Sequence, residues 1–304
     1  MNRRDLLGVL GAAGVGSLLS RMPAIAAPTP IIARPIPRSG ELLPVIGLGS
    51  WITFNVGDDA SGRDTCAEVM RRFVARGGRV IDSSPMYGSS EQTIGYGLTK
   101  LTDPKAIFSA EKVWTSSASE GRPQIEETLH RWGLKKFDLL QVHNLENWQA
   151  HLPMLFEMKR SGAVRYVGVT TSHGRRMDEV EQIMRTQPLD FVQFTYNIAD
   201  RQPESRLLPL AHDKGIAVIT NRPFREGALL DDLRGKPLPD WGKDLGGTSW
   251  PTFLLKFIVS HPYVNVAIPA TSVPAHVEEN MGVAYGPLPD EATRKKMAQY
   301  FMSL

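Results

Sequence analysis

Four ionisable side chains, Asp82, Tyr87, Lys112 and His143, stand at or just past the ends of short apolar runs far apart in the chain. A buried ammonium needs a carboxylate partner, which pairs Lys112 with Asp82. A phenol beside that ammonium is drawn down from its usual pKa of roughly 10 and becomes a better proton donor near neutrality. An imidazole N–H on His143 can hold an oxygen in line with the phenol. Together the four form equipment for protonating a substrate oxygen. From the stretch Gly77–Leu98 alone, a turn-capping Asp82 and a surface Tyr87 fit equally well; the strand ending on Lys112 and the one ending on His143 favour the catalytic set.

These residues must be brought to one place by strands. Arg79–Asp82 is a β-branched run entered through Gly77-Gly78, followed by a Ser-Ser-Pro turn and a helix that Ser89 or Ser90 can cap. Eight such runs are expected as strands: Val45–Gly49, Arg79–Asp82, Ala106–Ala110, Phe137–Val142, Arg165–Thr170, Asp190–Thr195, Ile216–Thr220 and Val264–Ile268. Amphipathic segments separate them, among them Arg63–Arg76, Pro123–Trp132, Arg175–Arg185 and Glu204–Lys214. Eight parallel strands close a barrel, whose sites lie at the carboxyl ends of the strands. The long loop Arg225–Thr248, rich in Gly, Pro and Asp, is expected to cover that face.

The tetrad, with Tyr-Gly-Ser-Ser-Glu at residues 87–91, resembles the aldo-keto reductases. The likeness begins near residue 31 and takes in Leu43–Gly49, Val167–Thr170, Asp190–Gln193 and the closing stretch from Ile268-Pro269 to Glu279-Asn280. It implies an α/β fold, a single-domain (β/α)8 TIM barrel over residues 27–304. It also implies reduction of an aldehyde or ketone by hydride transfer from NADP or NAD in its reduced form, with Tyr87 as general acid and a monomeric enzyme. By the same resemblance, Gln193 holds the nicotinamide carboxamide and Thr170 supplies a hydroxyl beside it, while Thr171 stands where the family has an amide. Asn221, followed by Arg222, Pro223 and Phe224, stands where a ring-stacking Tyr is common; Phe224 or Tyr196 would have to replace it. Toward the adenine, Pro269, Thr271, Glu279 and Asn280 match, while Ala270 and His276 replace two cations, which weakens the case for NADP over NAD unless Arg222 compensates. No G-x-G-x-x-G follows a strand in the mature chain, which argues against a doubly wound dinucleotide fold.

Two other readings are open. Lys112 is also a candidate Schiff-base nucleophile of a lyase, with Tyr87 as its proton shuttle. The departures at Thr171 and Asn221 also suit a barrel that keeps a nicotinamide nucleotide as a sensing or structural ligand without turnover.

The rest of the chain bounds these readings. With 42% hydrophobic and 22% charged residues it is an ordinary globular composition. Of the formal charge of +3, residues 1–26 carry +2 on Arg3, Arg4, Arg21 and Asp5, so basicity is no argument for nucleic acid. That segment, with Arg3-Arg4 before the modestly apolar Leu6–Ser20 and Ala24-Ile25-Ala26 as a cleavage site, reads as a twin-arginine export signal. It is too short to span a membrane, and it implies the export machinery as a partner and a periplasmic location. Cys66, at helical spacing with Val69, Met70 and Phe73, is expected in the core. His130, His151, His173, His212 and His261 show no metal spacing and are given no role; Trp51 and Trp114 are candidates for the pocket wall.

Overall fold

A computed structural model describes residues 30–246 and 248–304; the expected export signal lies outside them. The chain opens with an antiparallel hairpin, β1 (Ala33–Pro35) and β2 (Leu42–Pro44). Eight strands follow: β3 (Leu48–Gly49), β4 (Val80–Asp82), β5 (Phe108–Val113), β6 (Phe137–Val142), β7 (Val164–Thr170), β8 (Phe191–Thr195), β9 (Ala217–Asn221) and β10 (Val266–Ala267). They pair in parallel, each with its sequence neighbours. The sheet closes on itself: Gly47 N donates to Ala267 O at 2.8 Å and Gly49 N to Pro269 O at 3.1 Å. The structure is thus the expected eight-stranded α/β barrel. The helices are α1 (Ala60–Ala75), α2 (Ser90–Leu98), α3 (Gly121–Trp132), α4 (Trp148–Ser161), α5 (Met177–Thr186), α6 (Leu207–Lys214), α7 (Ala228–Asp232), α8 (Trp250–Val259), α9 (Pro274–Gly282) and α10 (Glu291–Met302).

Strand alternation divides the apolar residues into two cores. Val80, Phe108, Leu139, Tyr166, Phe191 and Ile219 fill the barrel axis with Ile36 and Leu43 of the hairpin as its floor. The opposite strand faces pack against the helices, where α1 places Cys66, Val69, Met70 and Phe73 in the outer core as expected. The axis changes character along its length. Phe108, Tyr166 and Phe191 pack together with ring centres 5.6 to 6.0 Å apart in the lower layers, and Asp82, Lys112, Gln141 and Gln193 follow at the carboxyl end.

Several boundaries differ from expectation; β10, for one, is Val266–Ala267 and not Val264–Ile268. Val45–Gly49 is a continuous strand only at Leu48–Gly49, with Ile46 adding an isolated parallel bridge to Ala267. Pro104 opens a 3-10 turn, Pro104–Ala106, capped by the Asp103 side chain, so β5 starts later and runs through Lys112 instead of ending at Ala110. Ser89 is the N-cap of α2, yet its hydroxyl accepts from Gly57 N at 2.7 Å and leaves the helix uncapped by side chain. The segment after β9 is not a plain loop: it holds α7 and a 3-10 helix, Asp240–Leu245. Among the described residues no helix is long and apolar enough to cross a membrane, and no group of three or more His, Cys, Asp or Glu is placed to hold a metal ion.

Candidate active site

At the carboxyl end of the barrel is a cavity of about 400 Å³, within the size range of small-molecule sites. Asp82, Tyr87, Lys112 and His143 all line it. Asp82 is the last residue of β4, and Lys112 faces the axis on β5 by alternation with Ala110 and Phe108. Lys112 Nζ donates to Asp82 Oδ2 at 2.7 Å and also to the Ser83 carbonyl. The same ammonium lies 5.2 Å from the centre of the Tyr87 ring. Tyr87 and His143 meet edge to face, centroids 5.5 Å apart, and Trp51 flanks the phenol at 6.4 Å.

The electrostatics differ from the expectation for the phenol. Burial, then the charges of Asp82 and Glu111, raise the Tyr87 pKa well above its ordinary value. The reason is that Lys112 is neutralised by Asp82 at contact distance, so it does not offset the loss of solvent. Burial likewise pushes the Asp82 carboxyl up, with the Lys112 ammonium pulling it back. His143 is held well below the usual imidazole range by burial and by Lys112, so the ring is neutral. Its Nδ1 lies 2.7 Å from Ser84 Oγ, which also accepts from Met86 N at 3.2 Å. With the Ser84 proton given to Nδ1, the N–H of the neutral ring is left on Nε2.

Beyond the tetrad the cavity wall carries Thr170, Gln193, Asn221, Arg222, Phe224, Thr271, His276, Glu279 and Asn280. Gln193 is buried beside Asp82 and accepts from Gln141 Nε2 at 3.3 Å. Asn221 donates to the Thr171 carbonyl at 2.9 Å and accepts from Thr195 Oγ1 at 2.7 Å. Four expected residues lie elsewhere. The Thr171 hydroxyl turns to the Arg175 carbonyl at 2.7 Å, because its backbone continues β7 beside Gln193 and points the side chain off the wall. Pro269 sits below, its carbonyl closing the barrel against Gly49. Tyr196 is fully buried, bonded to Glu204 Oε1 at 2.7 Å and to Arg294, so among the two stacking candidates only Phe224 reaches the cavity. Trp114 is exposed, its backbone bonded to the Gln124 side chain, whereas Trp51 does line the site.

The sequence reading passed over several groups. His173, given no role there, lies on the wall against Arg222 and Glu226. Ser84 orients His143 from the turn after β4, and Gln141 on β6 donates to Gln193; the same-face spacing of Gln141 and His143, two apart, was the available cue for Gln141. Neutral amides and hydroxyls line one wall, from Gln193 and Asn221 to Thr271 and Asn280, and offer the donors and acceptors that an uncharged amide, ribose or base takes. Among the described residues, the Lys and Arg side chains lining the cavity are Lys112, held by Asp82, and Arg222, held by Glu226. A 2′-phosphate would thus meet no free cation on this wall.

Residues 45–296 match the family model described as "Aldo/keto reductase family". Methylglyoxal reductase YeaE of Escherichia coli is 26% identical over 251 residues, covering 81% of this chain and 87% of that protein. An NADH-specific methylglyoxal reductase of the same organism is 26% identical over 228 residues, 64% of this chain and 68% of that one. Among solved structures, an aldo/keto reductase from Klebsiella pneumoniae in complex with NADP and acetate superposes with a TM-score of 0.71, at 22% identity, covering 86% of this chain and 93% of that one.

Proposed function

Because the chain belongs to the aldo/keto reductase family and is an NAD(P)H-dependent carbonyl reductase by type, we propose that it reduces an aldehyde or ketone with Tyr87 as the proton donor. The observation that carries this is the convergence on the Tyr87 ring, at one cavity wall, of the Lys112 ammonium at 5.2 Å and the His143 ring at 5.5 Å from its centre. The bound dihydronicotinamide supplies the hydride. Gln193, Asn221, Thr271 and Asn280, which line the cavity, would hold that nucleotide. His143 Nε2–H fixes the carbonyl oxygen, Tyr87 delivers its proton to that oxygen, and the Lys112 ammonium, held 5.2 Å from the ring centre, is the cation that faces the phenolate left behind.

Replacing Tyr87 by Phe is expected to lower kcat by roughly 10²- to 10⁴-fold while nucleotide binding, followed by fluorescence quenching with NADH and with NADPH, stays near wild type. Reduction at the wild-type rate by that variant would remove Tyr87 from the mechanism. The two Escherichia coli relatives are named for methylglyoxal, so 2-oxoaldehydes head the substrate panel. Trp51, Ile52 and Met86 give the cavity an apolar rim that suits a carbonyl with an apolar substituent. The Schiff-base reading is set aside because Lys112 Nζ is buried and engaged by both Asp82 and the Ser83 carbonyl, with no free lone pair to offer a substrate.

The reading extends to location. Arg3-Arg4, the modestly apolar stretch to Ser20 and the Ala24-Ile25-Ala26 site support export of the folded, nucleotide-loaded enzyme by the twin-arginine route to the periplasm. Changing both arginines to lysine should leave the protein in the cytoplasmic fraction; unchanged fractionation would refute the route.

A further inference from the structure

The hydrogen-bond ladder between β4 and β5 is diverted at the active-site lysine. Phe108 N donates to Arg79 O at 3.0 Å, and a parallel ladder advances two residues per step on both strands, so Ala110 is due at Ile81 and Lys112 at Ser83. At that last step the backbone partners are exchanged. The Ser83 carbonyl accepts from Lys112 Nζ, and Lys112 N donates instead to the side chain of the preceding residue, Glu111 Oε1, at 2.8 Å.

Glu111 lies on the strand face opposite Lys112 and is completely buried. Its neighbour on α2, Glu91, is already matched, by Thr128 Oγ1 at 2.9 Å and Arg131 Nη1 at 2.7 Å. Glu111 Oε2 has no hydrogen-bond partner at all. Burial and the nearby Glu91 charge push the Glu111 carboxyl well above its usual range, so the chain keeps an acid in a place where an aliphatic side chain would be more comfortable.

We propose that Glu111 is a positioning residue for the reaction. By taking the Lys112 backbone N–H, it leaves the Ser83 carbonyl free to anchor the lysine ammonium between Asp82 and Tyr87. The proposal rests on the reading of Tyr87 and Lys112 given above. Without the Glu111 acceptor, Lys112 N turns back to Ser83 O, and the ammonium must share that anchor with it.

The test uses the whole enzyme with Glu111→Leu and Glu111→Gln. Leu removes the acceptor and the unpaired acid together, so Tm should hold or rise while kcat falls by ~10-fold or more. Nucleotide affinity and substrate KM should stay within about twofold. Gln keeps an oxygen for Lys112 N and should restore kcat to within about threefold of wild type. Wild-type kcat in Glu111→Leu overturns the proposal, as does a Gln variant as slow as the Leu variant. Loss of Tm and nucleotide binding along with kcat in Glu111→Leu would mark the residue as merely structural and overturn it too. If Tyr87→Phe is inactive while Glu111→Leu is fully active, this inference alone fails; if Tyr87→Phe is active, the underlying reading fails.

Discussion

Tyr87 shows how far burial can reverse an expectation drawn from a neighbouring charge. A lysine close to a phenol should ease its ionisation, but here that lysine is paired at 2.7 Å with Asp82, and the phenol feels mainly desolvation and two carboxyl groups. The rise keeps the phenol protonated over the whole working range and makes it a weaker acid. The pH profile follows with a definite sign. The active form has Tyr87 protonated, so activity is lost only as pH rises through a pKa lifted above its ordinary value; His143, depressed below its usual imidazole range, is already neutral at neutral pH. The kcat for reduction at saturating nucleotide should therefore be level between pH of about 6.5 and 9 and fall only on the alkaline side. An acidic limb centred near the ordinary imidazole pKa would show that His143 titrates in the site and that the assignment of its neutral form is wrong.

At the level of elements, the site depends on very short strands held in register by what lies behind them. β4 has three residues, all buried, and ends on Asp82; β5 brings Lys112 up by simple alternation. At the opposite end of the barrel, Arg34 on β1 ties the floor hairpin to the turn between α8 and β10. Its guanidinium donates to Val259 O at 2.7 Å and also to the carbonyls of His261 and Val264. Burial, then the like charge of Arg294, brings its pKa down to about 10, which leaves it cationic at neutral pH. Arg34→Ala strands these carbonyls and should cost ~2 kcal/mol, a Tm drop of several degrees by thermal unfolding. Nucleotide affinity should be unchanged, because the clamp and the cavity are at opposite ends of the strands. A variant with wild-type Tm would mean that solvent replaces all of these contacts.

For the molecule as a whole, closure of the sheet is what turns eight separate strand ends into one wall. Gly49 beside Ala270, and Gly47 beside Ala267, join the first strand to the last, and residues from near 49 to 280 then share a single cavity. Arg222, Phe224, Glu226 and Leu230, from the segment after β9, complete it over the nucleotide side. The same closure separates the apolar lower axis, with its packed Phe108, Tyr166 and Phe191, from the polar layer above, so the titratable groups sit on a floor that excludes water.

The barrel and its tetrad were legible in the linear chain because strand pitch is regular. A run with period two, ending on Asp82, Lys112 or His143, fixes which face and which end each side chain occupies, and parallel neighbours bring those ends together. The nucleotide wall was legible only through its matches to a known pattern, and Thr171, Pro269 and Tyr196 depart from it in the folded chain. The direction of the Tyr87 pKa, the place of His173 beside Arg222 and the diversion of the Lys112 N–H to Glu111 were decided by tertiary structure alone. Each depends on desolvation, or on a contact between side chains and backbone groups whose geometry the fold sets, and neither is a function of spacing along the chain.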